Sequence, residues 1–138
     1  MFLDASVIVA LLAREPGWES IADSLDESSE TFLVSPLARF EAVMALARSQ
    51  KSFAINRRQA LQEAERGFET FLLDIGAREV SITAEIGALA LNAARDYGKV
   101  VGHRASLNLG DCFSYACAKA ERVPLLYKGN DFIHTDLG

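Results

Sequence analysis

Four short strand-like runs, each separated from the next by a pair of helical stretches, constrain this chain more than any other feature. Residues 1–3, 31–34, 78–82 and 125–127 read as strands. Helices are expected over residues 4–13 and 18–25, and from Ser35-Pro36 to Ser49, where a capping serine precedes proline at the first helical position. Asn56 and Gln59 have the spacing of a capping box and open a long helix that stops at Gly76. Thr83 caps a further helix ending at Gly98, residues 99–109 form a polar loop, and Gly110-Asp111 opens a last helix stopped by Pro124. The order β-αα-β-αα-β-αα-β predicts an α/β fold with a mostly parallel sheet covered by helices. At 138 residues, half of them hydrophobic, the chain suits one domain over 1–138 with a proper core. Ligands of such sheets bind beyond the carboxyl ends of the strands, so functional residues are expected to follow strands.

Several classes of protein are disfavoured. Cys112 and Cys117 lie five apart in a helical stretch, where their side chains diverge, so a local disulfide is not expected. Two unpaired thiols suggest a reducing compartment. The first residues lack a basic region ahead of Asp4 and do not resemble a signal peptide. The longest apolar run, residues 7–13, is too short for a bilayer. A location in the cytoplasm, away from any membrane, is therefore expected. The net charge of −5 does not suit a generic nucleic-acid binder. The charge is uneven, however. Glu15, Glu19, Asp23, Asp26, Glu27 and Glu30 run without a cation among them, whereas Arg39, Arg48, Lys51, Arg57, Arg58 and Arg66 follow later. Both stretches also read as ordinary solvated helix faces.

Four acids stand where chemistry is expected. Asp4 follows the first strand and Asp111 starts a helix; each also reads as an N-cap. Leu37, Phe40, Glu41, Met44 and Arg48 share a helical face, on which Leu37, Phe40 and Met44 are expected to turn inward. Glu41 then sits beside an apolar stripe, where a carboxylate needs a donor, a cation, or pairing with Arg39 or Arg48. Asp131 follows the last strand in Gly129-Asn130-Asp131, which equally suits a turn. If the sheet is parallel, all four meet at one edge. Carboxylates so placed raise one another's pKa, and a divalent cation removes the conflict. Oxygen ligands without a histidine cluster select Mg²⁺ or Mn²⁺ over Zn²⁺. Such ions favour phosphate oxygens and can assist attack of water on phosphorus. No GxGxxG, GxxxxGK[ST], GxSxG or HExxH motif offers rival chemistry.

Met1-Phe2-Leu3-Asp4-Ala5-Ser6 before an apolar helix resembles the start of a PIN domain. Leu109-Gly110-Asp111-Cys112-Phe113-Ser114-Tyr115-Ala116 is similar to that family's third acidic motif, and Pro124 to Phe132 with Thr135-Asp136 resembles the closing segment of VapC-type toxins. Glu41 stands at the place of the family's helix glutamate. The resemblance implies a three-layer α/β/α PIN-like domain with a mostly parallel central sheet. It also implies a Mg²⁺- or Mn²⁺-dependent ribonuclease, the toxin of a bacterial toxin–antitoxin pair. Such a toxin is a homodimer blocked by a small VapB-like antitoxin. Asp4, Glu41 and Asp111 become the metal-binding acids by position, with Asp131 as a fourth catalytic acid. Other PIN domains carry an aspartate where this chain has Gly129. Ser6 matches a hydroxyl residue that assists at the site. His103 and Arg104, in the loop before Asp111, are candidate contacts to RNA or antitoxin.

Two other readings use the same residues. One is a non-catalytic PIN-like module that binds partners; the other is a metal-dependent phosphohydrolase acting on small phosphate esters. Metal-dependent RNA cleavage, lost in the Asp111→Asn variant, separates the first reading from both.

Overall fold

The structure is a computed structural model that describes residues 1–138. Its strands are very short: β1 (Phe2–Leu3), β2 (Leu33–Val34), β3 (Arg78–Glu79) and β4 (Leu125–Leu126). All pair in parallel, in the order β3-β2-β1-β4. Six α-helices connect them: α1 (Ala5–Leu12), α2 (Trp18–Asp26), α3 (Pro36–Ser49), α4 (Arg57–Asp74), α5 (Ala84–Tyr97) and α6 (Leu109–Glu121). The sheet is parallel, as expected, but all four strands are shorter than the runs expected for them. None of the helices is long and apolar enough to cross a membrane.

Alternation along the strands divides the core in two. Phe2 and its register partners Leu33 and Leu125 face one side, where they join Ile86, Ala90 and Ala93 of α5 and Tyr115, Ala116 and Cys117 of α6. Leu3 and Val34 face the other side and join Ile8 of α1, Ala42 and Leu46 of α3, and Ala64, Phe68 and Leu72 of α4. Successive strand residues point to opposite faces. In the two central strands β1 and β2 both residues are buried and glue helices to both faces, giving three layers, whereas Arg78 and Glu79 of the edge strand β3 are exposed. Small side chains at the helix contacts, Ala90 and Ala116 on one face and Ala42 and Ala64 on the other, let the helices approach closely.

Several local signals behave as expected. Asp4, Ser35, Asn56 and Thr83 all cap helices through their side chains. Both cysteines are free and buried. Three expectations need correction. Gln59 does not reach back to Asn56; its amide donates to Glu63, so that capping box is only half made. Gly98 is not a left-handed cap: its φ is −73°, and it is glycine because a β-carbon would strike the carbonyl of Ala94. The N-cap of α6 is Asn108, three residues ahead of Asp111.

Candidate active site

The strand order reverses between β1 and β4, and the crevice there is where ligands of such sheets bind. Asp4 leaves β1 at this point, its N–H donating to the carbonyl of Leu126 at 3.0 Å. Its Oδ2 caps α1, accepting from Ser6 N at 2.9 Å and Ser6 Oγ at 2.5 Å. The Ser6 hydroxyl in turn accepts from Lys128 N at 3.0 Å, lacing α1 to the segment after β4. Capping occupies one oxygen only. Oδ1 has no recorded bond and is not an enclosed orphan, so it opens toward the cleft. Capping α1 therefore leaves one oxygen of Asp4 free for a further role.

Glu41 comes from the second turn of α3. The inward stripe of this helix is Ala38, Ala42, Val43, Leu46 and Ala47, not Leu37, Phe40 and Met44. Phe40 is 63 % exposed. The register differs because α3 packs against both α1 and α4, which selects its small residues for close approach. Glu41 therefore does not border the core; it faces the cleft beside Phe40, Met44, Ala45 and Arg48. Arg39 is committed elsewhere, to Glu79 at 2.6 Å and Glu69 at 3.4 Å. Neither Arg39 nor Arg48 pairs with Glu41. Its pKa is raised, by burial first and then by the charges of Asp4 and Asp111.

Asp111 is the third residue of α6. A full capping box fixes it: Asn108 Oδ1 accepts from Asp111 N at 3.1 Å, and Asp111 Oδ2 accepts from Asn108 N at 2.8 Å. Burial pushes its pKa up to about 6, against the pull of the Asn108 N–H and with the charges of Asp4 and Asp131 adding to it. Between these residues, Gly110 presses its α-carbon on the Glu41 carboxylate, where any β-carbon would overlap both oxygens. The sequence pattern Asn-x-x-Asp carried the capping signal, but nothing in the sequence revealed why residue 110 is glycine.

Asp131 completes the group. It lies exposed after β4, within the charge field of Asp111 and just past Gly129, whose φ of 108° requires glycine. Asp4, Ser6, Glu41, Asp111 and Asp131 line one cleft of about 680 Å³. Glu15 and Lys128 close one side of it with an ion pair at 2.6 Å, which gives one member of the acidic stretch a place. His103 and Arg104 do not line this cleft. The His103 ring accepts from Ala105 N at 3.1 Å and stands edge-on to Tyr97, while Arg104 is exposed. Asp136 also lies outside it, bound to Tyr115 Oη at 2.7 Å and Lys119 Nζ at 2.8 Å.

The arrangement suits a hard divalent cation. Its donors are carboxylate oxygens, and Glu41 and the free oxygen of Asp4 have no competing partner. No three of the chain's acids, histidines or cysteines converge to a ready-made ligand cage. Like charges resist convergence, and a bound cation would draw them together.

Comparison with known proteins places the chain among others of this build. A family model described as PIN domain matches residues 1–137. A VapC ribonuclease of Rhizobium meliloti (strain 1021) is 48 % identical over 141 residues, covering 99 % of each chain. Ribonuclease VapC42 of Mycobacterium tuberculosis (strain ATCC 25618 / H37Rv) is 34 % identical over 137 residues, covering 99 % of this chain and 96 % of that one. The crystal structure of Mycobacterium tuberculosis VapC20, described as a sarcin-ricin loop cleaving toxin, superposes with a TM-score of 0.70. It is 17 % identical and covers 96 % of this chain and 92 % of its own, a likeness of fold.

Proposed function

This chain belongs to the PIN domain family and is a VapC-type ribonuclease; from that premise we propose that it hydrolyses RNA phosphodiester bonds in the acidic cleft. Asp4, Glu41 and Asp111 would hold the metal on which ribonucleases of this kind depend, and Asp131 is the fourth acid of the site. The metal is Mg²⁺ or Mn²⁺, because every donor is a hard oxygen. The observation that carries this reading is that carboxylates from four separate segments line one cleft at the β1–β4 crevice. Residues 1–138 form a single domain of this family, a reading supported by a match over residues 1–137.

When bound, the metal supplies Lewis-acid activation of water and neutralises charge at the phosphate. The chain's own residues do the positioning. Ser6 holds Asp4 Oδ2 and leaves Oδ1 to the cleft. Asn108 fixes Asp111 through the capping box, and Gly110 lets Glu41 approach the start of α6. Burial and neighbouring carboxylates raise the pKa of Glu41 and Asp111, and a bound cation would offset that penalty on their charged forms.

The chain acts on RNA, and a VapB-type antitoxin is its cognate partner. A homodimer is the finer expectation. Leu91, Val100 and Leu109, all strongly exposed around an apolar groove between α5 and α6, support it.

The test is cleavage of a cellular RNA pool by the purified chain with Mg²⁺, with EDTA, and with the Asp111→Asn variant. Discrete fragments that require metal and vanish in the variant are expected. Fragments that persist in EDTA or in the variant would remove the site assignment. No cleavage by a folded wild-type chain would remove the ribonuclease reading.

A further inference from the structure

Two side chains of the cleft have no role in holding metal and no partner in the protein. Phe40 is 63 % exposed on α3, although it lies beside the half-buried Glu41. Arg48 lies two turns further along the same face and makes no ion pair, hydrogen bond or aromatic stacking contact. Several other cations are engaged: Lys128 by Glu15, Arg39 by Glu69, Glu79 and the Phe68 ring, Arg57 by the Phe53 ring, and Lys119 by Asp136. Five carboxylates line the cleft (Asp4, Glu15, Glu41, Asp111, Asp131) against two cations, of which only Arg48 is uncommitted.

That balance would repel a polyanion unless its phosphates met a cation beyond the metal ligands. Seven residues separate Glu41 from Arg48, about 10 Å along the helix. This puts Arg48 past the reacting phosphate and within range of a neighbouring one. Phe40 and Met44, spaced by four, form an apolar ridge between the acidic end and Arg48. An exposed aromatic ring beside a cation is the combination by which unpaired nucleic acid is held: a base stacks on the ring while the backbone meets the charge.

We propose that Phe40 and Arg48 form a substrate-positioning track for single-stranded RNA. Phe40 stacks an unpaired base next to the reacting phosphate, and Arg48 binds a flanking phosphate. This rests on the ribonuclease reading and adds that the substrate lies along α3 with its bases unstacked. Duplex RNA presents no free base face, so the track selects loops and single strands.

The experiment compares wild type with Phe40→Ala, Phe40→Trp and Arg48→Gln, using a short fluorescent single-stranded RNA and its duplex as probes. Both side chains are exposed, so the variants should keep the wild-type melting temperature, which is measured alongside. Phe40→Ala should weaken single-strand affinity about tenfold, and Phe40→Trp should restore it. Arg48→Gln should raise KM more than it lowers kcat. It should also reduce the slope of log affinity against log salt by about one. Wild type should bind the single strand more tightly than the duplex. Cleavage and binding unchanged in Phe40→Ala and Arg48→Gln would overturn the track and leave the ribonuclease reading standing. Absence of cleavage by wild type would remove the ribonuclease reading itself. Variants that bind RNA normally but fail to capture a co-expressed protein partner would assign the ridge to that partner and overturn the proposal.

Discussion

A β-carbon at residue 110 would overlap both oxygens of Glu41, and no backbone strain accounts for glycine there. The expected consequence of Gly110→Ala is displacement of Glu41 and loss of most RNA cleavage, with the fold kept. Near wild-type activity in that variant would show that Glu41 tolerates the shift. Titration supplies a second test at this scale. Asp111 has its pKa raised from 3.8 to about 6, chiefly by burial. Between these values the folded chain holds a proton that the unfolded chain has lost. Stability of the metal-free protein therefore falls as pH rises through that window, and the cost is complete by pH 7. Asp111→Asn keeps an oxygen to accept from Asn108 and removes the charge. In EDTA at pH 7 it should be more stable than wild type by about 1–2 kcal/mol, after allowance for solvent in the cleft. The advantage should shrink toward pH 4, as urea unfolding at both pH values would reveal.

Helices α3 and α4 form the wall that carries Glu41. Phe68 of α4 is completely buried between them, with the Arg39 guanidinium 5.1 Å from its ring centre. Phe68→Ala should cost about 3–5 kcal/mol in urea unfolding, because the cavity cannot collapse between close-packed helices. A loss below 1 kcal/mol would mean that the α3–α4 contact is looser than its geometry indicates. The same element shows why face assignment failed from sequence. Several registers of α3 present plausible apolar stripes. Leu37-Phe40-Met44 is the bulkier, yet Ala38-Ala42-Val43-Leu46 is the one buried. Two neighbouring helices compete for α3 at close range, and small residues win that contest. Phe40 and Met44 of the bulky stripe are left lining the cleft.

At the scale of the whole molecule, Leu91 is 66 % exposed, Val100 83 % and Leu109 68 % around one apolar groove. A contiguous exposed apolar surface is a candidate interaction site. The homodimer reading predicts a dimer in sedimentation at micromolar concentration, and Val100→Glu should shift it to monomer without changing the secondary structure. A wild-type chain that sediments as a monomer would end that reading. The uneven charge along the chain also resolves at this scale. Of the basic stretch from Arg39 to Arg66, Arg39 and Arg57 are engaged in contacts within the protein and only Arg48 lines the cleft.

The sequence by itself determined the order of elements, the parallel sheet and most helix caps, because these depend on residues near one another in the chain. Asp4, Ser35, Asn56 and Thr83 announce helix starts whatever the rest of the molecule does. It also indicated which acids to suspect, since a parallel sheet brings the residues after its strands to one edge. Only the tertiary structure decided which face of α3 is buried, that Asn108 holds Asp111, and that Gly110 makes room for Glu41. It also decided that Arg48 is free where Lys128 is not, and that His103 and Arg104 stand apart from the cleft. Each of these depends on contacts between segments distant in sequence: Glu41 meets Gly110, and Ser6 meets Lys128, only after the sheet has assembled. Local pattern fixes what each segment becomes, but close packing between segments chooses the register in which their side chains meet.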